Sequence, residues 1–320
     1  MRDELAPIVL FVYGRPEHTQ KTLQALKRNQ LADASELFIF ADGPKESCSD
    51  LQLQKIAEVR RLIRREKWCG KVEIIESACN QGLAASIVGG VTKITSTYGR
   101  AIVLEDDLVT SPGFLPYMND SLRIYADDER VMHVNGFNFA TRFWAPSTGF
   151  LRASHPWGWS TWHRAWQHFR NDADGLLAEI QARDPIAFDL DGTAFHLEEL
   201  QQNVTGELKT WAVRWYASIF LKNGLCLYPR VSLVRNIGFD GTGENCHADR
   251  EFYEQIPISF KTAVNRIPIK ESDLYLIAHQ NHYRRQLKRW TKTTFRDRAM
   301  RKLAKLLNKF SLGLIKTTAL

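Results

Sequence analysis

The run Ala101-Ile102-Val103-Leu104-Glu105-Asp106-Asp107 sets four apolar residues directly against three consecutive acids. The apolar half reads as a short strand. Three like charges in a row are unfavourable without a partner. A hard divalent cation, Mg2+ or Mn2+, suits carboxylate oxygens, and Mg2+ commonly completes its shell with water and substrate phosphates. A diphosphate leaving group fits that chemistry. The other reading of the triplet is a solvated acidic turn.

Apolar runs of the same kind stand at Ile8–Tyr13, Leu37–Phe40, Val72–Ile75 and Val131–Val134. Helix-like segments lie between them: His18–Lys27 after Pro16, Leu51–Arg65 after the capping residues Ser49 and Asp50, and Leu83–Thr95 with Ile87, Val91 and Ile94 on one face. This alternation predicts an α/β fold, a mainly parallel sheet with helices on both faces. Open sheets of that type bind ligands beyond the carboxyl ends of their strands. At those ends stand Gly14-Arg15-Pro16, Asp42-Gly43, Asn80-Gln81-Gly82 and Glu105-Asp106-Asp107, which predicts four polar clusters converging on one crevice.

Each cluster has two readings. Arg15 meets a phosphate or caps the surface. Asp42 accepts hydrogen bonds from a base or ribose, or makes an ordinary Asp-Gly turn. Asn80 and Gly82 open a small-residue helix that a ligand can approach closely, or they are another turn. In His155–Trp166, Trp159, Trp162 and Trp166 fall at helical spacing, which reads as core packing. Trp157 and Trp159 flank Gly158 and offer aromatic faces to a sugar ring, core packing being the alternative. A glycine-rich stretch from Asn236 to His247 carries Asp240 and Glu244 and reads as a loop closing over a ligand, or as an ordinary surface loop.

The 320 residues are 44% hydrophobic and 25% charged, which suits a globular chain and excludes fibrous or broadly disordered classes. Five scattered cysteines without a C-x-x-C pair argue against a disulfide framework and a zinc site. The Pro7–Tyr13 run is too short for a signal-peptide core, and no stretch approaches the ~18 apolar residues of a spanning helix. A cytoplasmic location is expected. Tyr283–Lys316 holds twelve Lys or Arg against one acid, so this segment carries +11 of a chain total of +7. Its interleaved Leu, Trp and Phe predict a basic amphipathic helical tail on an anionic membrane surface, at the inner face of the cell membrane, or a helix docked on the body. No nucleic-acid partner is expected, because the body outside the tail is slightly acidic.

The segments PIVLFVYGRP, FADG, NQGLAAS, IVLEDDLVTSPGF, HPWGWSTW and YPRVSLVRNIGFDGTG occur in that order over about three-quarters of the chain. Together they resemble the GT-A glycosyltransferases, in particular bacterial sugar transferases similar to N-acetylglucosaminyltransferase I. The resemblance implies a GT-A, Rossmann-like fold with a nucleotide-sugar-binding lobe (1–150), an aromatic-rich acceptor lobe (151–282) and the basic tail (283–320). It implies a nucleotide-sugar donor, a glycan or lipid-linked acceptor, Mn2+ or Mg2+, and a place in bacterial surface polysaccharide synthesis. It maps the metal ligand to Asp107, the donor-sugar contact to Glu105 and the nucleoside contact to Asp42; Asp106, between the first two, is a further donor-binding candidate. Relatives that invert configuration take their base from an acid beside a Trp at a helix start. Here that place reads Lys209-Thr210-Trp211-Ala212, without an acid. Glu207, Asp240 and Glu244 are the base candidates. A sugar-nucleotide pyrophosphorylase is the rival enzyme, although the chain lacks a Gly-rich phosphate loop after its first strand. A membrane- or RNA-binding adaptor is the non-enzymatic rival.

Overall fold

A computed structural model describes residues 4–139, 141, 144–243 and 255–289. The chain divides into two compact units, Met1–Ala278 and His279–Leu320. The first unit runs β1 (Ile8–Val12), α1 (Pro16–Lys27), β2 (Glu36–Ala41), α2 (Asp50–Arg64), β3 (Lys71–Glu76), α3 (Leu83–Tyr98), β4 (Arg100–Glu105), β5 (Leu108–Thr110), α4 (Phe114–Ile124) and β6 (Val131–Asn135). It continues through β7 (Thr148–Leu151), β8 (Trp159–Trp162), α5 (His163–Trp166), α6 (Ala173–Arg183), α7 (Pro185–Phe188), α8 (His196–Thr205), α9 (Ala212–Leu221), β9 (Leu225–Pro229) and β10 (Val234–Asn236). The described residues 279–289 of the second unit are helical. Most of the basic segment Tyr283–Lys316 lies outside the described residues. Among the described residues no helix is long and apolar enough to cross a membrane.

The main sheet has eight strands in the order β3-β2-β1-β4-β8-β6-β9-β7. Strands β3, β2, β1 and β4 are parallel to one another, as are β6 and β9, while β8 and β7 run antiparallel to their neighbours. Residues 1–150 and 151–282 both contribute strands, and residue 150 itself lies inside β7. The fully apolar β1, Ile-Val-Leu-Phe-Val, is buried along its length between β2 and β4, as a central strand covered on both faces must be.

Helices cover both faces. On one, Leu23 and Leu26 of α1, Val59 and Ile63 of α2, and Phe114 and Met118 of α4 pack on Ile8, Leu10 and Leu104. On the other, Ile87 and Val91 of α3, Trp166 of α5 and Trp215 of α9 pack on Val9, Phe11 and Val103. Successive strand residues point to opposite faces, which sorts Leu104 from Val103.

The helical spacing of Trp159 and Trp162 is overturned: both lie in β8, which pairs antiparallel with β4 through Val103↔Trp159 and Arg100↔Trp162. In a strand that spacing sends the two rings to opposite faces, and each joins a different core layer. The segment is a buried four-residue strand, too short for periodicity to distinguish from helix.

Candidate active site

Because β1, β2, β3 and β4 are adjacent and parallel, their carboxyl ends share one edge of the sheet. Phe11 of β1 pairs with Glu105 of β4, so the segments leaving these two strands start side by side. Arg15 directly precedes α1, whose Pro16 occupies the first turn, where no N–H is needed. Its guanidinium reaches across to the acids. Nη2 donates to Asp107 Oδ2 at 2.9 Å and also to Asp106 Oδ1, while Nε donates to Asp106 Oδ2 at 3.3 Å. Thr22 Oγ1 of α1 holds the turn by donating to the Asp106 carbonyl at 2.8 Å.

Asp106 and Asp107 are 4% and 6% exposed, and the half-buried Arg15 is their counter-charge. Burial works against the Arg15 cation, but Asp106 and then Asp107 outweigh it and hold its pKa above the ordinary value. Burial pushes the Asp106 carboxyl up, against the pull of Arg15. Glu105 follows the strand alternation to the face of Val103 and Phe11, away from α1. Burial, then Asp107 and Asp106, push its carboxyl up to about 8.

A second sheet brings the glycine-rich loop to this cluster. Strand β10 pairs antiparallel with β5 through Asn236↔Leu108, next to Asp107. Ile237 N then donates to the Asp107 carbonyl at 2.9 Å, and Gly238 N to Asn236 Oδ1 at 2.7 Å. A β-carbon on residue 238 would meet the Asp107 carboxylate, so the glycine permits the close approach. Further on, Asp240 Oδ2 lies 3.1 Å from Nε2 of His18, in the first turns of α1. Asp240 Oδ1 accepts from Thr242 N at 3.0 Å and Thr242 Oγ1 at 2.7 Å. Burial tends to raise the Asp240 pKa, but these bonds and His18 keep it below the ordinary value. The sequence reading missed His18; its lone position on a helix carried no signal. Glu244 lies outside the described residues.

Asp42, after β2, holds a second cluster together. Its Oδ1 accepts from Gly43 N at 2.8 Å and Gln81 N at 2.9 Å, and its Oδ2 from Asn80 Nδ2 and Gly82 N, both at 3.0 Å. Asn80 Nδ2 also donates to the Gly43 carbonyl at 3.0 Å. Four bonds fill the four lone-pair directions of a carboxylate. Asp42 therefore clasps the β3–α3 loop to the β2 end. Gly82 caps α3 at φ +78°, a conformation that favours glycine.

The two tryptophans part ways. Trp159 is fully buried, with His133 stacked at 5.0 Å and Trp211 stacked at 5.0 Å. Its faces are occupied, so it is a core residue and offers no platform to a sugar. Trp157 is half-buried, with Phe137, His155 and Phe239 edge-on at 4.5, 4.4 and 5.3 Å. Glu207 is exposed in the turn after α8. An acid that the sequence reading did not weigh, Glu199 of α8, accepts from Thr210 Oγ1 at 3.0 Å, beside Trp211. Burial pushes its pKa up, against that bond.

Both Asp106 oxygens are taken by Arg15, whereas Asp107 Oδ1 accepts no hydrogen bond among the described residues. Among those residues no group of three or more His, Cys, Asp or Glu side chains is arranged to hold a metal ion. One or two carboxylates plus substrate phosphates suffice for Mg2+. Asp107 thus fits as a single protein ligand to a cation that arrives with a phosphorylated substrate.

No family model matches this chain, and no curated protein does. Among solved structures it is similar to S. aureus TarS 1-349, at 9% identity over 72% of this chain, with a TM-score of 0.39. It spans 59% of that chain. It is also similar to mouse xyloside xylosyltransferase 1, at 11% identity over 68% of this chain and 82% of that chain, TM-score 0.33. A UDP-glucose pyrophosphorylase complexed with UDP-glucose matches at 9% identity over 71% of this chain and 90% of that chain, TM-score 0.35.

Proposed function

We propose that this chain transfers a sugar from a nucleotide-sugar donor to a glycan or lipid-linked acceptor, with GT-A-type chemistry at the β1–β4 edge. The observation that carries the reading is the cluster of half-buried Arg15 with buried Asp106 and Asp107 at adjacent strand ends, where open α/β sheets bind ligands. A cation and a carboxylate with one open oxygen at such an edge suit a departing diphosphate.

In this reading Asp107 holds Mn2+ or Mg2+, which would supply charge neutralisation for the leaving nucleoside diphosphate. Arg15 binds and orients the phosphates. Glu105, on the other face of the edge, faces the sugar. Inverting transfer also needs a carboxylate to take the acceptor hydroxyl proton. Of the two base candidates among the described residues, Glu207 and Asp240, the reading favours Asp240, whose carboxylate lies against His18 of α1. For the acceptor we propose a lipid-linked or surface-polysaccharide sugar, reached through the basic segment Tyr283–Lys316 at an anionic membrane.

Screening nucleotide sugars for release of nucleoside diphosphate tests the reading. Release from one donor with an added glycan acceptor is expected. Formation of nucleoside triphosphate from a nucleotide sugar and pyrophosphate would replace it with the pyrophosphorylase reading.

A further inference from the structure

The two buried aspartates do different things. Asp106 engages Arg15 through both oxygens, one on Nε and one on Nη2, which is the two-pronged grip a guanidinium offers a carboxylate. Asp107 touches the same guanidinium through Oδ2 alone. The grip fixes the plane of the guanidinium and leaves one nitrogen over. Nη1 is buried and has no hydrogen-bond partner among the described residues. Buried donors without acceptors are uncommon in folded proteins, and one on a permanent cation calls for an anionic acceptor.

We propose that Arg15 binds the donor diphosphate through Nη1 and that Asp106 is a positioning residue, fixing the guanidinium for that contact, while Asp107 serves the cation. This rests on the nucleotide-sugar reading above and assigns separate tasks within its acid pair. A lysine cannot replace Arg15 in this role, because an ammonium cannot grip Asp106 on two prongs and still present a third donor in a fixed plane.

The test is isothermal titration of the full chain with UDP, GDP and dTDP, each beside its monophosphate, with and without Mn2+. Arg15→Gln alone strands two buried carboxylates, so the main variant is the double Arg15→Gln/Asp106→Asn, checked for folding by circular dichroism. The double variant is expected to lose about 10-fold or more of its diphosphate affinity, the scale of one charge-assisted hydrogen bond, with monophosphate affinity little changed. Asp106→Asn alone is expected to reproduce most of that loss, whereas Asp107→Asn shifts the Mn2+ dependence instead. A folded double variant that keeps its full preference for diphosphate over monophosphate overturns the assignment. If the wild-type chain binds none of the nucleotides with or without Mn2+, the transferase reading falls, and this assignment with it.

Discussion

A β-carbon on Gly238 would stand 2.3 Å from Asp107 Oδ2, so the loop after β10 and the carboxylate at the end of β4 are fitted to each other. Gly238→Ala forces the carboxylate or the loop to shift. The expected outcome is a loss of about 1–3 kcal/mol of stability, the usual range for overpacking, with at least ~10-fold lower donor turnover if Asp107 is the part that moves. Urea unfolding and a turnover assay check this. Unchanged stability together with unchanged turnover would show that the loop is not seated on Asp107.

Asp42 predicts a local rather than a global defect. Asp42→Asn puts an amide against backbone N–H groups that now donate to oxygen. The change is expected to cost about 2 kcal/mol. Amide hydrogen exchange at Gln81 and Gly82 should speed up more than exchange in β1. Equal protection at those amides in both proteins would remove the clasp from the account.

Burial depresses several histidines, His133 and His196 among them, which makes stability pH-dependent. His133 accepts from Trp215 Nε1 at Nδ1, and its pKa is pushed down to about 3; that of His196 falls to about 4. The unfolded chain therefore binds more protons than the folded one between these values and the ordinary 6.5. Stability from this source is fully present above that ordinary value and is lost as pH falls through the window. The slope is at most about 1.4 kcal/mol per pH unit for each histidine. Unfolding midpoints measured at about pH 7 and about pH 4.5 should converge in His133→Gln relative to wild type. An unchanged pH slope in the variant would exclude His133 as a source.

Trp159 separates a core from a binding platform. Trp159→Ala is expected to cost about 3–5 kcal/mol, the range for removing a large buried aromatic side chain. A stacking platform for sugar would instead lose donor affinity with little loss of stability. Thermal unfolding and donor titration of the same variant distinguish the two.

The legible parts of this chain were local. Short apolar runs bounded by polar residues marked β1, β2, β3, β4 and β6 to within a residue or two, and Pro16, Ser49 and Gly82 marked helix starts. The order of polar clusters after those strands followed from parallel alternation, and four adjacent strand ends carry them. The parts that stayed hidden depend on contacts between distant residues. Arg15 grips Asp106 across 91 positions, and nothing near either residue announces the pairing. His18 and Asp240 meet because β10 pairs with β5, and three-residue strands have no readable periodicity. Trp159 and Trp162 show the same limit: their spacing suits a helix face as well as two faces of a strand, and only the neighbours β4 and β6 decide. Glu199 escaped notice because its link to Thr210 joins α8 to the loop before α9, eleven residues on.

The central claim is that the Arg15–Asp107 edge handles a nucleotide-sugar diphosphate. The most direct measurement is nucleoside diphosphate release from a panel of nucleotide sugars by wild type and Asp107→Asn, across an Mn2+ titration, with melting temperatures taken alongside. The account predicts release from at least one donor by wild type and a fall of about 100-fold or more in a variant that melts as a folded protein, the scale for losing a key electrostatic contact. Equal release by the folded variant, with or without Mn2+, would contradict it.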